Sequence, residues 1–215
     1  MHDVRVRRRD RLSVTFATMP LPASIAREEL HLRRIELRGY RREDGLYDIE
    51  ARMTDTKSQD LELEHRQALP AGAPLHDMWM RLVVDEDLTV HDAVASTDAA
   101  PFAVCPEATA VLGPLKGMRI GAGWTIAVKS LFAGARGCTH LTELLIPLAT
   151  TAFQTLSQVR QARPVTFNSK GRPSRIDSCY AYSRQRAVVQ QRWPEFYDAT
   201  DGQGKAPPSA RGETT

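Results

Sequence analysis

The chain is poor in cysteine. It has three, Cys105, Cys138 and Cys179, among 215 residues, and no CxxC pair. So scattered a set builds no disulfide framework, and free thiols point to a reducing cytoplasm. Long apolar runs are missing too: nothing approaches the roughly 18 residues that a membrane span needs. The first residues, Met1-His2-Asp3-Val4-Arg5, hold no apolar core, so no secretory signal is expected there. Charge of one sign is also scarce. A formal net charge of +3 gives no ground to expect nucleic-acid binding. No internal repeat is present.

What is there suits one well-buried domain with tails. Residues 1–24 form a basic arm carrying Arg5, Arg7, Arg8, Arg9 and Arg11. Such an arm is either solvated or grips an anionic ligand or partner chain. Residues 25–190 read as a single α+β domain. Residues 198–215, rich in Gly, Pro, Ser and Thr, read as a disordered tail.

The domain opens with two hairpins. His31–Arg38 is a strand, Glu43-Asp44-Gly45 a turn, and Tyr47, Ile49, Ala51 and Met53 alternate with polar residues as a half-buried strand. After a polar loop ending in Pro70–Pro74, Met78, Met80, Leu82 and Val84 share one strand face, and His76 has their parity. Asp85-Glu86-Asp87 turns the chain into a partner strand over residues 88–96. The period then changes to that of helices. Residues 106–116 and 124–133 are each expected to form one, ended by Gly117 and Gly134. The longest helix runs from Thr139 to about Arg160, with Leu141, Leu144, Leu145, Leu148, Ala152, Phe153 and Leu156 as its apolar stripe. Pro147 should kink or divide it. The expected core is an antiparallel sheet over 31–97 covered by the helices that follow.

Cys105 and Cys138 both stand where helices begin, Cys105 before Pro106 and Cys138 after Gly137. Unpaired N–H groups and the positive end of the helix dipole favour a thiolate there. With His76 and His140 they make a soft donor set suited to one zinc or iron ion, with an open position for Lewis-acid chemistry. Two alternatives stand beside this. The thiols serve as small buried hydrophobes, or Cys138 and His140 act as nucleophile and base. Glu143, in the first helical turn, could orient His140 or act as a base, or simply favour the helix start. His31 and His91 read as ordinary strand residues. Cys179 lies beyond the long helix, and Trp79, Trp124 and Tyr180 are either pocket lining or core. Should the thiols be inert, Arg33, Tyr47 and Asp48 on the first hairpin are the next place to look for chemistry.

Tyr47-Asp48-Ile49-Glu50, Cys105 through Gly117, and Gly137-Cys138-Thr139-His140-Leu141-Thr142-Glu143-Leu144 resemble a bacterial family of unknown function, number 2889, over about residues 25–190. That resemblance implies no established activity; it suggests a setting in small-molecule and aromatic catabolism. The order of elements is also similar to the U-type iron–sulfur cluster scaffold fold. Phe102-Ala103-Val104-Cys105 with Leu112, Leu115 and Gly117 looks like that family's middle-cysteine segment, and Cys138-Thr139-His140-Leu141 like its final one. His76 falls near the family's aspartate. Ala73 or Pro74 replaces its first cysteine, and Gly137 replaces its histidine. That likeness implies a pocket and a single ion, and argues against cluster assembly.

The expectation is therefore a cytoplasmic metalloprotein acting on a small organic substrate, with no nucleic-acid or membrane partner, either homo-oligomeric or bound to a partner protein. An iron–sulfur scaffold or carrier, and an accessory subunit with buried structural cysteines, are the alternatives.

Overall fold

The computed structural model describes residues 21–64 and 67–199. Most of the basic arm and nearly all of the C-terminal tail therefore lie outside the described residues. Four strands, β1 (His31–Arg41), β2 (Tyr47–Lys57), β3 (Pro74–Val84) and β4 (Val90–Ala99), form an antiparallel meander in the order β1-β2-β3-β4. The helices α1 (Trp124–Leu131), α2 (Thr139–Thr155), α3 (Ser157–Gln161) and α4 (Ala187–Arg192) follow. The expected α+β arrangement of a sheet followed by covering helices is what the chain adopts.

Alternation drives the sheet. Tyr47, Ile49, Ala51 and Met53 of β2 are buried, as are Met78, Met80, Leu82 and Val84 of β3. The register places Met53 against Met78 and Ala51 against Met80, so both strands turn the same face to the helices. The opposite face stays polar. Arg52 clamps Asp77 through two hydrogen bonds of 3.0 and 2.7 Å and stacks its guanidinium 4.6 Å from the Trp79 ring centre.

α2 lays Leu141, Leu144, Leu145, Leu148, Ala149, Ala152 and the following Leu156 on that face. Phe153, expected in the stripe, is 37% exposed and lies under the Arg160 guanidinium instead. Pro147 neither divides nor ends α2. The helix runs through it and breaks at Leu156, while the hydroxyls of Thr150 and Thr151 donate to the Pro147 carbonyl. Trp124 is core: buried, with its indole N–H donating to the Leu145 carbonyl at 3.0 Å.

One other expectation changes. Residues Cys105–Leu115 form a 3₁₀ segment, not an α-helix. Pro114 cannot donate an i→i−4 hydrogen bond, and Gly113 beside it is a poor helix former, so tighter turns prevail. Beyond α3 the chain builds a satellite cluster of Ile176, Val189 and Trp193 with Tyr182 and Phe196 against it, apart from the main core.

Gly39 of β1 marks the closest approach of α2 to the sheet. A Cβ there would meet Thr155 Oγ1 at 1.8 Å and Cγ2 at 2.6 Å. Gly39→Ala is expected to destabilise the fold by about 1–3 kcal/mol through overpacking. Adding Thr155→Ala, which removes both atoms, should recover part of the loss in urea unfolding. Additive losses would show that the contact is not the cause.

Candidate metal centre

The row of cross-strand neighbours at one end of the covered face is polar. Asp55 follows Met53 at the buried parity of β2, pairs with Arg33 of β1 and with His76 of β3, and sits at a register shift of the β2–β3 ladder. Its carboxylate is 1% exposed. Arg33 holds it with a fork, Nε donating to Oδ1 and Nη2 to Oδ2, both at 2.8 Å. His76 Nδ1 lies 2.9 Å from Oδ2. His31 Nε2 is 3.3 Å from Oδ1. A carboxylate has about four lone-pair positions, of which the Arg33 fork and His76 take three, with His31 beside it as an ion-pair partner.

Burial pushes the Asp55 carboxyl up, but the Arg33 hydrogen bonds and charge, with lesser help from His76 and His31, outweigh it and hold the group below the ordinary range.

The first turn of α2 closes this row. His140, its second residue, stacks on His76 with ring centres 4.0 Å apart and planes tilted by 43°. Asp55, His76 and His140 each offer a ligand atom within 4.8 Å of the others. Among the described residues this group of three metal-binding side chains is the one so gathered. One carboxylate and two imidazoles are a donor set for zinc and for non-haem iron.

Cys138 is the N-cap of α2, and its Sγ lies 3.9 Å from His140 Nδ1. The thiol is held below its usual pKa, first by His140, against desolvation, with the amides of Leu141 and His140 adding to it. No capping hydrogen bond forms at the thiol, so the helix start acts on it through proximity rather than by a closed cap. Glu143 is exposed and reaches Arg33 Nη1 at 3.4 Å; it faces the arginine, with no hydrogen bond to His140 among the contacts seen.

Cys105 stands elsewhere. It is the first residue of the 3₁₀ segment, capped by Val104, and that segment packs on β4. α2 packs on β1, β2 and β3. Among the described residues Cys105, Cys138 and a histidine are thus not gathered as one three-donor set. Cys179 is exposed, ahead of a short 3₁₀ turn. Tyr47 is core, Asp48 pairs with Arg42 at 3.2 Å on the open face, and Tyr180 is 76% exposed.

Asp55 continues the buried parity of Met53 two positions on, but a strand-end acid of that parity is ordinarily solvated, so the sequence alone does not single it out.

The protein-family comparison matches residues 31–154, more than half of the chain, to a family described as protein of unknown function (DUF2889). The chain belongs to that family. The match spans all four strands and most of α2, and so includes every residue of the polar row. No curated protein matches the chain, and no solved structure does. The likeness to the iron–sulfur scaffold therefore rests on element order alone. No helix among the described residues is long and apolar enough to cross a membrane.

Because Arg33 is 35% exposed and Asp55 only 1%, the two halves of the pair are unequal. Removing Arg33 strands a buried anion, whereas removing the Asp55 charge frees an arginine that can reach water. Arg33→Gln should cost about 3–5 kcal/mol and Asp55→Asn clearly less, read by chemical denaturation. Because the folded carboxyl is held low, its contribution is complete above the unfolded pKa of about 3.9. It is lost as pH falls through the folded value. Equal losses for the two variants would contradict this order.

Proposed function

We propose that this protein binds a single zinc or iron ion through Asp55, His76 and His140, and uses it as a Lewis acid on a small organic substrate. The observation that carries the reading is the convergence of these three donors, two of them buried, from two strands and a helix start. Such a set leaves coordination positions open, as catalytic zinc and non-haem iron sites require. Asp55, His76 and His140 would hold such an ion, which would supply Lewis acidity, and the Arg33 fork on Asp55 would orient the carboxylate. Cys138, beside His140, is the candidate fourth donor in place of the Cys105–Cys138 pair.

One observation favours a second reading, a metal-free structural network in an accessory protein. The Arg33 fork already neutralises Asp55, and a divalent ion beside a guanidinium meets charge repulsion. A cluster scaffold draws less support, since the three donors gathered among the described residues include no thiol.

Metal analysis of tag-free protein separates these readings. One equivalent of zinc or iron per chain is expected, with His76→Ala and His140→Ala each lowering affinity at least about tenfold and Cys105→Ser leaving it unchanged. His140 is partly exposed, so its removal should leave the fold intact. Protein that is purified without metal and takes up neither zinc nor ferrous ion in titration would overturn the metal reading in favour of the structural one.

A further inference from the structure

A separate cavity of about 390 Å³ opens where β3 starts and β4 ends. Leu63, Leu69, Pro74, Leu75, Phe102 and Pro106 give it an apolar wall. Those residues come from three stretches: the loop closed by the Leu61–Leu69 bridge, the first residues of β3, and the turn into the 3₁₀ segment. The volume lies in the lower part of the range of about 300–1,000 Å³ that small-molecule sites span. It is too small for a partner helix. Phe102 is 58% exposed at this wall, a large apolar side chain with little of its own to cover it.

The Thr97 hydroxyl oxygen is buried without a hydrogen-bond partner among the described residues, closed to solvent and so out of reach of a molecule in the open cavity. One polar feature gives the cavity chemical character. Asp98 is the charged residue of the lining, and it accepts a hydrogen bond of 2.7 Å from the Ser96 hydroxyl. A carboxylate at an apolar wall disfavours anions. His76, the next residue after Leu75, belongs to the polar row on the covered face, so the cavity adjoins the strand that carries it.

We propose that this cavity is a binding site for a neutral, mainly apolar small molecule of about one to three rings, held by the Leu, Pro and Phe wall. The site stands independently of any metal at Asp55, His76 and His140.

The test uses N-phenyl-1-naphthylamine, a neutral probe that fluoresces in apolar surroundings, with the full-length protein. Saturable binding of one probe per chain is expected. 1-Anilinonaphthalene-8-sulfonate, the same ring system with a negative charge, should bind about tenfold more weakly, and Asp98→Asn should narrow that gap. Ala103→Trp places a large ring at an exposed position of the lining and should abolish binding. Binding as in the parent is expected in His140→Ala protein, which separates this site from the metal reading. Absence of saturable binding, or equal binding by the parent and Ala103→Trp, would overturn the proposal by placing the probe elsewhere, as on the exposed Val165 and Phe167.

Discussion

A carboxylate with 1% exposure cannot stay charged beneath a helix without a cation in contact, and much of this structure is arranged around that constraint. Asp55 sits in the row of the sheet where the hydrophobic face gives way to polar residues. Arg33 reaches it from the edge strand because the guanidinium fork matches the two carboxylate oxygens and its stem can lie along the sheet. His76 supplies the contact from the other side. The N-terminus of α2, with His140 in its first turn, closes over the row, so the positive end of that helix faces the negative group. Loss of the arginine therefore bears on the placement of β1, β2 and α2 together.

The two faces of the meander do different work. The covered face is an apolar bed on which α2 lies so close that β1 must present a glycine to Thr155. The open face is held by cross-strand ion pairs: Arg52 with Asp77, Arg81 with Glu50, Arg42 with Asp48. Such exposed pairs each add little stability. Their value is in register, and in keeping a broad polar surface from associating with other sheets. On β1, the free edge, Arg34, Arg38 and Arg41 add charge that serves the same end.

The sheet also keeps its two candidate chemistries apart. The polar row meets α2 along β1 to β3, whereas the 3₁₀ segment bearing Cys105 covers β4. The apolar cavity opens at the end of β3 and β4, beside the start of the strand that bears His76. A bound ion and a bound small molecule would thus share one strand without sharing side chains.

The sequence by itself determined the alternating strands, the turns at Asp44-Gly45 and Asp85–Asp87, the buried parity of His76 and the stripe of α2. These are period-2 and period-3.6 patterns, set by the direction of each Cβ from its own backbone. It also marked Cys138 as a helix start and singled out His76 and His140. Only tertiary structure decided that Asp55 joins them, because a carboxylate two residues past Met53 looks like any strand-end acid until β1 and β3 are in register beside it. Tertiary structure likewise decided which strands each helix start meets, β4 for the segment of Cys105 and β1 to β3 for α2: a helix start is a local property, whereas the strand it packs against depends on the path of the chain. The 3₁₀ geometry of Cys105–Leu115 and the unbroken passage of α2 through Pro147 have the same origin. There, local preference competes with packing on the sheet, and the energy of that packing is carried by residues far away in the chain.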